Sequence, residues 1–357
     1  MPRGGGILRR RGAVKARVPL VACALLAVFS AVHGQTARIV FVGDVMLDDG
    51  PGRQIAAGRD PFAAFDPVFR SAHVVIGNLE CAVATGGKPI AGKPYTFRAH
   101  PGVTRVLAGR FTALSVANNH TGDYGPKALI ETLSHLDAAG IRAFGGGRSL
   151  AEAHAPLLLD RNGLRIALLG YNDFMPRWFE AGPAWPGIAW SEERDVIADI
   201  RAARRAGARV VIPFMHWGWE DERTPTVRQR QLARRMIDAG ADAVVGGHPH
   251  VTQGAEVYRG RPIIWSLGNF VFDGFDTVEA RTGWVLRLTV DGRGVASWDT
   301  LEARIDEDGA PHSAPEARTP CGSRRLGAVA ACANAALLRE IEGTAASGSS
   351  PSMDGGR

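Results

Sequence analysis

Acidic residues are missing from the first 34 positions of this chain, although 36 occur in its 357 residues. The same stretch holds Arg3, Arg9, Arg10, Arg11, Lys15 and Arg17, six cations that equal the whole formal excess of +6. Residues 35–357 are therefore close to neutral, no basic face is expected, and nucleic acid is excluded as a partner. Cysteine is scarce, with four in the chain, so neither a disulfide-rich scaffold nor a thiolate metal cage is available. Long apolar runs are lacking as well. Only Val18–Val32 is a candidate, and it falls short of the roughly 20 residues that span a bilayer. No internal repeat is present. What remains is an ordinary globular balance, 45% hydrophobic and 22% charged, enough for one large domain or two small ones.

Residues 1–34 read as a targeting segment: a basic stretch, an apolar run, then small or polar residues near Gly34. Three variants stay open: a lipoprotein box at Leu20–Cys23, a loose twin-arginine signal at Arg9–Arg11, and an uncleaved N-terminal anchor. Each makes the chain an exported one, periplasmic or extracellular. In such an oxidising compartment Cys321 and Cys332 are a reasonable disulfide pair. Cys81, inside an apolar strand pattern, is expected to be a buried core thiol.

From residue 37 short apolar runs alternate with amphipathic stretches. ARIVFVGDVML, AHVVIGNLE, RFTALSVANNH, LRIALLGYND, ARVVIPFMHWG, ADAVVGGHPHV and RPIIWSLGNFVFD predict strands. The segments starting at Pro126, Ser191 and Val227 predict helices, and Ser149 predicts a helix cap. Continuous apolar strands between helices imply an α/β fold whose sheets are covered on both faces. Later hairpin-like segments make the sheets mixed. The folded domain is expected over 35–305. Residues 306–357, rich in Pro, Ala, Gly and Ser, are expected to be a largely irregular extension, disordered from about 343.

Chemistry gathers at the ends of these strands. Asp44 follows the first run, Asn78 and Glu80 the second, and Asn118, Asn119 and His120 the third; His216, His248 and His250 close two later ones. A single polar residue at a strand end is more often a turn or cap. Five coinciding strand ends predict one shared site, because α/β sheets bind ligands beyond the carboxyl ends of their strands. Imidazole, carboxylate and amide oxygen suit Zn, Mn or Fe.

In order, GDVML, GNLE, ANNHTGDYG, HWGWE, GGHPHVTQG and SLGNFVFD resemble the CapA family of capsule and poly-γ-glutamate synthesis proteins. That family lies within the calcineurin-like metallophosphatase superfamily, and the resemblance covers about residues 37–275. It implies a four-layer α/β/β/α sandwich with mixed sheets and one or two divalent metal ions. Asp44, Glu80, Asn119, His216, His248 and His250 would be the metal ligands, and His120 the general acid beside them. The superfamily's first motif is Asp-x-His, whereas this chain reads Asp44-Val45-Met46, and Glu80 stands where an aspartate is usual. One metal then has Glu80, Asn119, His216 and His248. The other has only Asp44, Glu80 and His250, and is expected to be the weaker.

The implied activity is metal-dependent hydrolysis or transfer at a phosphoester or amide of an anionic surface polymer, beside membrane-bound synthesis and export proteins. A non-catalytic assembly component and a secreted phosphoesterase are the alternatives. Asp123 is a candidate to orient His120, with a simple turn as the bland reading. Asn78, Asn118, Glu220, Gln253, Asn269, Asp273 and Arg98 are candidates to contact substrate, with Lys93 beside Arg98 as a further cation; ordinary structural hydrogen bonding is the alternative. The tryptophan-rich loop Phe174–Trp190 is either a wall beside the metals or a self-packed cluster. Gly145–Gly147 is either an anion cradle or a turn.

Overall fold

A computed structural model describes residues 35–347. The targeting segment and residues 348–357 lie outside the described residues. Two sheets of ten and six strands dominate. In the larger, Thr36–Val45, Val74–Leu79, Ala113–Ser115 and Arg142–Phe144 run parallel. The first of these pairs antiparallel with Thr282–Asp291, which hairpins into Gly294–Ile305. In the smaller, Leu164–Asn172, Val210–His216, Val244–Gly247 and Arg261–Ile264 run parallel between antiparallel edges.

The layering follows from side-chain alternation. Along the first strand Ile39 and Phe41 face one core while Val40 and Val42 face another. Along Val210–His216, Val210, Ile212 and Phe214 join Ile39 and Phe41, whereas Val211 and Met215 face away. Period two with both faces apolar is what a strand sandwiched between two layers requires. The shared core is the seam between the sheets, where the rings of Phe41 and Phe214 meet edge to face at 5.5 Å. Each such side chain fully buried is worth about 1.5–3 kcal/mol. Outside the larger sheet lie Ile55 of Asp49–Ala56 and Leu136 of Gly125–Ala138. Outside the smaller lie Val196 and Ile200 of Glu193–Arg205, and Leu232 and Met236 of Val227–Ala239. The result is the expected four-layer α/β/β/α sandwich.

Local signals agree with these elements. Thr226 and Gln229 form a capping box at the start of Val227–Ala239, and Gly240 ends that helix at φ 116°. The Ser149 hydroxyl accepts from the Glu152 amide at 3.3 Å. Gly145–Gly147 is backbone pairing: Gly146 and Gly147 pair with Ile188 and Gly187.

The segment after residue 305 corrects the expectation of irregularity. Pro311–Ser313, Arg318–Ser323 and Val329–Ala333 extend the larger sheet, and Asn334–Ser347 is a helix. That helix runs to Ser347, and the rest of the segment expected to be disordered, 348–357, lies outside the described residues. Cys321 and Cys332 are disulfide-bonded across the terminal hairpin, with Cα atoms 5.9 Å apart. Cys81 is free and buried, and burial pushes its thiol up to about 12. Among the described residues no helix is long and apolar enough to cross a membrane.

Candidate metal centre

Sheet register brings the polar strand ends together. Asp44 is paired with Asn78 on one side and Asn269 on the other, at the end of the first strand. Glu80 follows directly and donates its amide to Val45 O at 2.9 Å. Across the seam, His216 ends its strand opposite Gly247, with His248 next in the chain. A Cβ on Gly247 would stand 2.9 Å from Asp44 Oδ1, so glycine is what lets the two sheets' ends approach.

His216 Nε2 is the hub of one half. It lies 2.7 Å from Asn119 Oδ1, 3.0 Å from His248 Nδ1 and 3.5 Å from Glu80 Oε1. In the other half, His250 Nδ1 is 3.7 Å from Asp44 Oδ2 and its Nε2 is 3.9 Å from Glu80 Oε1. Asn269 directs its amide nitrogen to His250 O and Ala280 O, so its Oδ1 accepts from His250 Nδ1 at 2.8 Å. That bond leaves the lone pair of His250 on Nε2, turned to Glu80. Potential ligand atoms of Glu80, His216 and His248, and of Asp44, Glu80 and His250, lie within 4.8 Å of one another. Both His248 and His250 are held at positive φ, 94° and 58°, a conformation costing about 1–3 kcal/mol for such residues.

The residues fit a divalent cation. Asp44, Glu80 and His248 are fully buried, and Glu80 Oε1 and His248 Nε2 have no hydrogen-bond partner. Orphaned polar atoms at that depth are costly. Burial raises the carboxyls of Asp44 and Glu80, and Asp44 raises Glu80 further. Burial also holds the His216 and His248 imidazoles well below the usual histidine range. The polypeptide alone thus disfavours the charged forms of these groups, and a cation is a partner that would favour the ionised acids. Oxygen and nitrogen donors of this kind suit Mn, Zn or Fe.

Met46 stands where the resemblance implies a further imidazole. It is fully buried in the outer core of the larger sheet, and its sulfur accepts from the Asp48 amide at 3.1 Å.

Behind the ligands stands a layer that the sequence reading places elsewhere. Asn78 and Asn118, expected at the substrate, are buried beneath the carboxylates. Asn78 Nδ2 lies 2.9 Å from Asp44 Oδ1, 3.1 Å from Glu80 Oε2 and 3.3 Å from His216 Nδ1. Asn118 holds Asn78 Oδ1 at 2.9 Å and accepts from the His120 amide at 3.0 Å. Gln253 is likewise structural, bonded to Gln229 and to Glu222 O. Arg98 donates to Gly86 O at 3.1 Å and stacks over Tyr124 at 4.4 Å, which fixes a loop. Asn269 orients His250 as described.

His120 and Asp123 do form a pair, 2.7 Å between Nδ1 and Oδ2. Asp123 also accepts from the Phe97 amide and is ion-paired with Lys93, which donates to Asn119 O at 2.7 Å. From the sequence Lys93 is only a cation near Arg98; nothing in its spacing to Asp123 marks the bond. With Nδ1 committed to Asp123, Nε2 of His120 is left for the adjoining cleft. Burial holds this imidazole below the usual range, against the pull of Asp123.

That cleft, about 420 Å³, is walled by Tyr95, Phe97, Phe272 and Phe275 and bordered by Asp49, Arg53, Glu220, Asp221 and Asp273. Glu220 is exposed and groups with His248 and His250, and Asp273 accepts from the Gly50 amide at 2.8 Å. From the tryptophan-rich loop, Phe174 covers His248 with ring centroids 4.0 Å apart, while Phe179 and Ile188 pack on Leu129. The loop thus touches one candidate ligand and packs against the helix Gly125–Ala138.

A family profile described as "Bacterial capsule synthesis protein PGA_cap" matches residues 38–274. The Bacillus subtilis "PGA biosynthesis protein CapA" is 38% identical over 242 residues, covering 65% of this chain and 62% of that protein. The chain thus spans less than two thirds of that relative. The Bacillus anthracis "Capsule biosynthesis protein CapA" is 30% identical over 295 residues, 77% and 69% of the respective chains. Among solved structures, a 5'-nucleotidase precursor from Thermus thermophilus aligns with a TM-score of 0.48 at 14% identity, over 87% of this chain and 59% of that one. With the profile matched over well more than half of its length, the chain belongs to the bacterial capsule synthesis protein family PGA_cap.

Proposed function

We propose that this chain is a metal-dependent hydrolase or transferase acting in the synthesis or processing of an anionic cell-surface polymer of the capsule or poly-γ-glutamate kind. The observation that carries this reading is the buried carboxylate oxygen Glu80 Oε1, which has no hydrogen-bond partner and lies 3.5 Å from His216 Nε2 and 3.9 Å from His250 Nε2, next to a cleft that His120 and His250 line. Glu80, Asn119, His216 and His248 would hold one cation, and Asp44, Glu80 and His250 a weaker second. Such a cation supplies Lewis acidity and a lowered pKa for water at neutral pH. The polypeptide supplies the proton transfer: Nε2 of His120 gives a proton to the leaving atom, and Asp123 steadies the imidazolium that donates it. Asn78 and Asn118 hold the carboxylates and His216 in place while this happens.

The test is turnover of a generic phosphodiester and of poly-γ-glutamate, with and without Mn or Zn, by the full chain and by His120→Ala. The variant should lose about 10²–10⁴-fold in rate while keeping its metal. Met46, in place of an imidazole, favours a second reading, a metal-binding assembly component without catalysis; metal-dependent turnover by the full chain excludes it, and its absence on both substrates supports it. Turnover of the phosphodiester alone would mark a phosphoesterase unrelated to capsule. On the leading reading the chain works outside the cytoplasm beside membrane-bound synthesis and export proteins, with residues 1–34 as signal or anchor. The mass of the chain recovered from the cell envelope distinguishes those two.

A further inference from the structure

The cleft beside the ligand cluster is poorly suited to the middle of a polyanion. Of its charged border, Asp49, Glu220, Asp221 and Asp273 are acidic and only Arg53 is basic. Glu220 groups with His248 and His250, so a cation there partly satisfies it. Asp49 and Asp273 face each other's charge as well as that of Arg53, and half-burial raises the Asp273 carboxyl. The wall between them and His120 is aromatic: Tyr95, 69% exposed, with Phe97, Phe272 and Phe275. Two carboxylates in a cleft that the exposed ring of Tyr95 also lines attract an ammonium group, by charge and by the ring quadrupole. One guanidinium among them suits one carboxylate. Repeated anionic groups along a chain would meet repulsion there.

We propose that this cleft binds a zwitterionic α-amino-acid head, its ammonium group at Asp49 and Asp273 and its carboxylate at Arg53, and so presents the amino end of a chain to the site; the proposal rests on the hydrolase or transferase reading above. In a γ-linked glutamate polymer only the amino-terminal residue carries both a free α-ammonium and a free α-carboxylate. Hydrolysis in this register breaks the first amide C–N bond. The hydroxyl of water goes to the carbonyl carbon, a proton from His120 goes to the departing nitrogen, and the proton that the water releases restores His120. The terminal residue leaves as a free amino acid.

Two probes decide it, a short γ-linked glutamate oligomer with a free amino end and the same oligomer N-acetylated. Binding to the full chain is measured by calorimetry, metal-free and Zn-loaded, alongside release of the terminal residue. The free-amine form should bind about tenfold more tightly, the worth of one charge-assisted contact. Asp49→Asn combined with Asp273→Asn should reduce that preference to near unity. The side-chain amide at position 273 keeps an oxygen for the Gly50 amide, so the loop is retained. Equal binding of the two probes, no binding of either, or a preference that survives the double variant overturns the proposal. A preference without cleavage of either probe removes the hydrolase reading and leaves this one standing, whereas equal cleavage of both does the reverse.

Discussion

The two halves of the ligand cluster are built to different standards. Around His216 Nε2 three candidate ligands stand within 3.5 Å, Asn119 and Glu80 from the larger sheet's side and His248 from the smaller's. Around Asp44 the acceptors are already engaged. Asn78 Nδ2 sits on one oxygen and the His248 amide, at 3.2 Å, on the other. The nearest imidazole atom of His250 is 3.7 Å away. Met46, where the resemblance implies a further imidazole, lies in the apolar core. Only Glu80 belongs to both halves. The difference teaches that ligand count and prior commitment, rather than burial, separate them, because Asp44, Glu80 and His248 are all fully buried.

The comparison can be broken at its stronger side first. His216→Ala removes the hub, and the chain should lose its tightly held metal completely on desalting, read by elemental analysis. Asp44→Asn should leave that metal in place, since Asp44 is a candidate ligand of the weaker half alone and the amide oxygen can still accept from the His248 amide. If the two variants lose metal equally, the halves are not distinct. Removing the layer behind them comes next. Asn78→Ala should cost about 10–100-fold in metal affinity, measured by competition with a chelator, because Asp44 and Glu80 lose one shared donor.

Met46→His sharpens the contrast from the other direction. A second equivalent of metal should now survive chelation, at a stability cost of about 1–3 kcal/mol for placing a polar ring in a packed core, read by thermal unfolding. The smallest effect is expected at Cys81, which lies one residue from Glu80. With its thiol pushed up to about 12 it should not react with a thiol reagent at about pH 8, near the ordinary thiol range, until the chain unfolds. Labelling of the native protein would show the core beside the cluster to be open.

Much of the fold was legible because its inner strands have both faces buried. Runs such as ARIVFVG and RVVIPFM carry no polar interruption after their first arginine, so their ends, and the residues just past them, stand out. The closing strands were not legible for the opposite reason. Val329–Ala333 is exposed or half-exposed throughout, and Arg318–Ser323 contains Pro320 and Gly322. Backbone pairing and one disulfide define that hairpin, and neither leaves a hydrophobic period. Within the site the sequence identified which residue types converge but not their depth. Asn78 and Asn118 look like any other polar strand ends, yet the register pairing Asp44 with Asn78 puts the amide behind the carboxylate instead of in the cleft. The ion pair between Lys93 and Asp123 joins two loops 30 residues apart, a contact no local pattern encodes. The aromatic wall was equally silent, since Tyr95, Phe97 and Phe275 belong to segments without strand or helix periodicity.

The most direct measurement is the metal content of the purified full chain after mild chelation. One equivalent retained, and lost in His216→Ala, is the predicted result. Two equivalents retained with equal tenacity, or none at all, would contradict the division into one strong and one weak half.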